Sequence, residues 1–95
     1  TVDELMAWAR EQGIAVVAVD NTPGSVPIET ADLPRECVLL FGQEGPGVSE
    51  TAQLRADLTV SIAQFGSTRS INAGVAAGIA MHAWIRQHAD LTQAW

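Results

Sequence analysis

The chain has 95 residues, 5 Lys+Arg against 11 Asp+Glu for a formal net charge of −6, and is 47% hydrophobic and 17% charged. This is core-forming composition and excludes an intrinsically disordered chain. The length fits one domain or part of one, and a chain of this size buries only roughly 60–65% of its unfolded surface.

Taken in chain order, Thr1-Val2-Asp3-Glu4 has the form of a capping box, with Thr1 as N-cap and Glu4 three residues on. Leu5, Met6, Trp8 and Ala9 then form an apolar helical face, and Gly13 stands where a helix C-terminus belongs. The run Ile14-Ala15-Val16-Val17-Ala18-Val19 is unbroken and rich in β-branched residues, which predicts a strand buried on both faces of a parallel sheet. Residues 20–34 read as loop, with Pro23-Gly24, Pro27 and Pro34 as breakers.

Cys37-Val38-Leu39-Leu40-Phe41 predicts a second buried strand, followed by a glycine-rich loop over 42–47. Ser49 can cap a short helix that ends near Arg55. Residues 58–62 form a third predicted strand, 63–69 a loop containing Gly66, and an Ala-rich helix is expected from Ser70 to about His88. The order of elements predicts an α/β domain with a mostly parallel sheet flanked by helices. The most apolar stretch, 71–85, carries Asn72 and His82 and is shorter than the roughly 20 residues needed to span a bilayer, so it reads as a buried helix.

In such sheets ligands sit beyond the carboxyl ends of the strands. Three loops lie there, 20–24, 42–47 and 63–69, and all are rich in Gly, Pro or small polar residues. The segment from Phe41 to Ser49 places Gly42, Gly45 and Gly47 within six positions, which permits close backbone approach to a ligand. Its spacing is neither GxxxxGK[ST] nor GxGxxG. Glu44 lies in its middle, would repel a pyrophosphate and suits a cationic or hydroxyl-bearing ligand. On spacing alone, an ordinary strand-to-helix turn capped by Glu44 fits equally well.

In the second segment Ser70 is a good N-cap and Asn72 lies in the first helical turn, where free N–H groups favour an anion, with Arg69 adjacent. Capping alone accounts for Ser70 taken singly. Gly74 and Gly78 share a helix face and predict close packing on another backbone. His82 is expected to be a hydrogen-bonded structural residue, and His88 to favour the helix C-terminus in its cationic form. Trp8, Trp84 and Trp95 read as packing or interface residues. No His/Cys/Asp/Glu cluster has metal-ligand spacing, so no metal is expected. The single cysteine, Cys37, allows no internal disulfide, suits a reducing cytoplasm and is expected to be inert. The basic residues are five scattered arginines, not the cluster that tracks nucleic-acid phosphates.

Together, Gly42-x-Glu44-x-x-Gly47, a strand, and Ser70-x-Asn72 opening an Ala/Val-rich helix resemble the SpoU (TrmH) branch of the SPOUT RNA methyltransferases, over about residues 14–86. The resemblance implies a SPOUT-type α/β fold with a C-terminal trefoil knot, an exception to the general absence of knots. It implies S-adenosylmethionine as cofactor, a ribose 2′-hydroxyl of tRNA or rRNA as substrate, and a homodimer. It implies that Gly42, Gly47, Ile62 and Ile71 border the cofactor, that Asp20 to Thr22 lies where the family's earlier strand ends near the cofactor, and that Glu44, Ser70 and Asn72 match polar positions of the active-site region. Where the family has Pro-Met after the position of Ile62, this chain has Ala63-Gln64-Phe65, and Gln64 is expected to add a polar contact. The family's upstream Asn-x-Gly segment and its Arg have no counterpart, so residues 1–95 are expected to be the C-terminal, cofactor-binding part of a longer enzyme. Two other readings differ in kind: a non-catalytic dimerisation or RNA-docking module of the same fold, and an unrelated doubly wound domain that binds a nucleotide or small anion.

Overall fold

The computed structural model describes residues 1–42, 50–63 and 73–93. Helix α1 spans Val2–Gln12. The Thr1 hydroxyl accepts the Glu4 N–H at 3.1 Å, and Gly13 ends the helix at φ 68°, a left-handed conformation that glycine adopts without steric cost. Strand β1 (Ala15–Val19) follows directly, then β2 (Val26–Pro27), β3 (Cys37–Phe41), α2 (Glu50–Arg55), β4 (Leu58–Ser61), α3 (Ala73–His88) and a 3₁₀ turn over Leu91–Gln93.

All strand pairings are parallel and the sheet order is β2-β4-β1-β3. Strand β1 lies inside the sheet, with Val19 opposite Phe41 on one side and Val60 on the other. Alternate β1 residues feed two layers, as the period of two requires. Val16 and Ala18 pack with Met6, Ala9 and Ala52 of α1 and α2, whereas Val17 and Val19 pack with Val60, Ala80 and Ala83 on the α3 side. The result is a parallel sheet between helices, as the sequence predicts. The course of the expected knot depends on 43–49 and 64–72, which lie outside the described residues.

Strand β2 corrects the loop reading of residues 20–34. Its two residues pair only with β4, Val26 with Val60 and Pro27 with Ser61. Pro27 is tolerated because β2 is an edge strand, where a missing N–H costs no ladder bond. Thr22-Pro23-Gly24-Ser25 makes the turn that leads into it. The Ser25 N–H reaches the Thr22 carbonyl at 3.1 Å and Gly24 takes φ 87°.

Helix α3 is held by its C-terminal half. The Trp84 indole N–H donates to the carbonyls of Pro34 (3.2 Å) and Arg35 (2.9 Å). The Gln87 amide accepts from the Leu33 N–H at 2.8 Å and donates to the Ala31 carbonyl at 3.1 Å. His88 Nε2 bonds the Leu33 carbonyl. Trp84, Gln87 and His88 stand at helical i, i+3, i+4 spacing, so one face of α3 grips the chain that enters β3.

The same helix is not buried all round, contrary to the sequence expectation: Val75 is 55% and Met81 53% exposed, while Ala80 and Ala83 are buried. His82 is exposed too, with no hydrogen bond to another described residue, which corrects its reading as a bonded structural histidine. A Cβ added at Gly78 meets nothing within 4 Å, so the close backbone neighbour predicted there is not found among the described residues.

Candidate functional site

The register places the carboxyl ends of β1, β3 and β4 side by side. Val19 pairs with Phe41 and with Val60, so Gly42, just past Phe41, and Ile62, just past Ser61, flank the chain leaving β1 at Asp20. Gly42 is half-buried, and Ile62 is buried against Val17, Val19 and Val60. Of the predicted site residues, the structure brings these two to one end of the sheet. Glu44, Gly47, Gln64, Ser70, Ile71 and Asn72 lie outside the described residues.

Polar side chains of residues 20–29 and of α2 organise this end. The Asp20 N–H continues the ladder to the Val60 carbonyl at 2.9 Å, and the Gln53 amide of α2 donates to the Asp20 carboxylate at 3.4 Å. The Asn21 side chain accepts the Ile62 N–H at 3.1 Å and donates to the Ile62 carbonyl at 3.3 Å. Both Glu29 carboxylate oxygens lie 3.3 Å from the Ala63 N–H. The sequence places Asn21 in a loop at this end but marks neither its role nor Glu29, because their partners lie 41 and 34 positions away.

The arginines are distributed oppositely. Arg10 and Arg55 line a cleft of about 320 Å³ at the amino end of β1, with Gly13, Ala15 and Asp57. There the Asp57 carboxylate accepts the Val16 N–H at 2.7 Å, and Arg55 is paired with Asp3. Arg35 precedes β3 and reaches the His88 carbonyl, and Arg86 lies in the last turn of α3. Among the described residues, therefore, the carboxyl end of the sheet carries Asp20, Asn21 and Glu29 but no arginine. That donor set suits a cationic or hydroxyl-bearing ligand and disfavours a polyphosphate.

A second, apolar groove of about 560 Å³ runs along the outer edge of β3 between Trp8, Cys37, Met81, Trp84 and Ile85. Burial pushes the Cys37 thiol up from its ordinary pKa, so at neutral pH it is held in the unreactive protonated form. Iodoacetamide at pH 7.4 is therefore expected to alkylate Cys37 several-fold more slowly in the folded chain than in guanidinium. Equal rates by mass spectrometry would contradict this. Among the described residues no group of three or more His, Cys, Asp or Glu side chains could hold a metal, and no helix is long and apolar enough to cross a membrane.

A parallel α/β sheet whose strands end side by side at Asp20, Gly42 and Ile62 is an architecture in which ligands bind beyond the carboxyl ends of the strands. The comparisons make the class specific: the sequence pattern of the SpoU rRNA Methylase family matches residues 1–82, and the chain belongs to that family. It is 29% identical over 91 residues to the tRNA (guanosine(18)-2′-O)-methyltransferase of Saccharomyces cerevisiae, covering 92% of this chain and 6% of that protein. It is 36% identical over 83 residues to an uncharacterized tRNA/rRNA methyltransferase of Mycolicibacterium vanbaalenii, covering 87% of this chain and 26% of that one. Among solved structures, the AdoMet-bound rRNA methyltransferase of Sinorhizobium meliloti superimposes with a TM-score of 0.81 at 32% identity, covering 88% of this chain and 32% of that one. The SpoU methyltransferase AviRb of Streptomyces viridochromogenes, in complex with AdoMet, gives 0.81 at 30% identity, covering 92% and 34%. The chain thus spans about a quarter or less of the curated relatives it matches here.

Proposed function

We propose that this chain is the cofactor-binding part of an RNA methyltransferase that transfers a methyl group from S-adenosylmethionine to a ribose 2′-hydroxyl of tRNA or rRNA. The observation that carries the reading is the juxtaposition of Gly42 and Ile62 at the carboxyl end of a parallel sheet, in a chain of this family. The end fits the group chemically: it carries the Asp20 and Glu29 carboxylates and a buried apolar wall at Ile62, without a described arginine, which suits a sulfonium cation bearing an adenosine.

S-Adenosylmethionine supplies, when bound, an activated methyl group on its sulfonium. The chain's own task is positional, since an in-line transfer depends on aligning the acceptor hydroxyl and accepting its proton. Gly42 and Gly47 allow close backbone approach, and Ile62 and Ile71 give apolar contact, with Gln64 adding a polar one. Glu44, Ser70 and Asn72 supply the acceptors and donors that orient the ribose hydroxyl.

The residues that complete the active site belong to an upstream part of the same polypeptide, and the working protein is a cytoplasmic homodimer. The apolar face that α3 leaves open at Val75, Ile79, Met81 and Ile85 supports the dimer. The alternative is a non-catalytic dimerisation or RNA-docking module, for which the same open α3 face would serve as the contact surface. Calorimetry separates the two. The full chain is expected to bind S-adenosylmethionine and its demethylated product with one-to-one stoichiometry per chain. Heat traces flat for both ligands would overturn the cofactor reading and leave the docking module.

A further inference from the structure

The β4 ladder ends before β4's last functional backbone groups are used. Its final pairs are Val60 with Val19 and Val26, and Ser61 with Pro27. Ile62 comes next, with its side chain in the core at 6% exposure and no strand partner opposite it among the described residues. Its N–H and its carbonyl are instead both met by one side chain, Asn21, at 3.1 and 3.3 Å. A carboxamide can accept at one atom and donate at the other; an ionised Asp has no donor and Ala has neither group. Asn21 itself follows Asp20, whose N–H bonds the Val60 carbonyl as the last main-chain bond from the β1 side to β4. The carboxamide therefore acts as one further rung of the ladder, placed where the backbone of β1 has already turned away.

We propose that Asn21 is a positioning residue for the cofactor site: it fixes the backbone of Ile62, and with it the direction in which the chain leaves β4. The inference rests on the reading that Ile62 borders the cofactor. Asn21 is given no contact with reacting atoms. Glu29 reinforces the same exit by receiving the next N–H, that of Ala63.

The fold contains its own control. Gln87 makes the same two-point carboxamide grip, on Leu33 and Ala31, beside the start of β3 rather than at the carboxyl end. Asn21→Ala and Gln87→Ala each remove two bonds of the same kind and are expected to lower the melting temperature comparably. Only Asn21→Ala should accelerate amide exchange at Ile62, and only Asn21→Ala should weaken S-adenosylmethionine binding, by about tenfold in calorimetry of the full chain. Wild-type affinity in Asn21→Ala, or an equal loss in Gln87→Ala, would overturn the proposal. Should Asn21→Ala not fold, Asn21→Asp decides, because it loses the donor to the Ile62 carbonyl: weakened affinity supports the role and wild-type affinity overturns it. If the wild-type chain itself binds no S-adenosylmethionine, the cofactor reading has failed instead. Amide exchange then judges the grip alone, and unchanged protection at Ile62 in Asn21→Ala removes it.

Discussion

Ile28→Ala is expected to destabilise the chain by about 2–5 kcal/mol, the range for deleting a large aliphatic side chain from a packed core. Ile28 is 2% exposed and lies among Val17, Val19, Val60 and Ile62, between the sheet and α3. Its N–H donates to the Ser61 carbonyl at 2.7 Å, so the backbone is held in place and cannot collapse freely into the space a smaller side chain leaves. For a domain of this size total stability is about 5–15 kcal/mol, so the loss is a large fraction of the whole. It corresponds to roughly 4–8 °C of melting temperature per kcal/mol. Val26→Ala, at a position 39% exposed two residues earlier on β2, should cost far less. Urea unfolding measures both. A shift below about 1 kcal/mol for Ile28→Ala would mean that residues 20–36 are not part of the core.

That effect falls on a segment the sequence presents as loop, and the reason is physical. Strands β1 and β3 are legible because each is an unbroken run of apolar residues bounded by turn formers, and both are found with bounds within a residue of the prediction. Strand β2 is two residues long, contains Pro27, and exists only through its pairing with β4 more than thirty positions later. No local pattern encodes such a pairing. The insertion of β4 between β1 and β2 is equally silent in the sequence, since topology leaves no periodic trace.

Helix α3 shows the opposite error. Its mean composition is apolar enough to suggest burial on every side, yet its buried stripe is narrow: Ala80 and Ala83 face the core while Val75, Ile79, Met81 and Ile85 do not. Small residues at the contact let the helix sit close to the sheet, and the larger ones are left outside. The candidate site divides along the same line. Gly42 and Ile62 could be named from their motif positions. Asn21 could be placed only as part of the 20–24 loop and Glu29 not at all, because their work is to satisfy backbone groups far away in sequence, and polar residues in a Pro/Gly-rich stretch look like ordinary turn formers.

Gly42→Val is expected to reduce S-adenosylmethionine affinity about a hundredfold, roughly 2.7 kcal/mol, while the fold persists. Gly42 directly continues β3, whose last residue, Phe41, is paired with Val19 at the centre of the sheet. A β-branched residue is compatible with extended backbone at such a position, so the strand itself should tolerate the change. What the change adds is a rigid, branched side chain at the end of the sheet where Gly42 and Ile62 flank Asp20. If the cofactor lies against the Gly42 backbone, there is no rotamer that removes a Cβ from its path. Gly42→Ala should then fall between wild type and valine, because the steric demand rises in steps. Far-ultraviolet circular dichroism and the urea midpoint separate this from unfolding: both should change little in Gly42→Val. Retained affinity in a folded valine variant would move the cofactor off the end of β3. The carboxyl-end site would then rest on Ile62 and the Ser70–Asn72 motif alone.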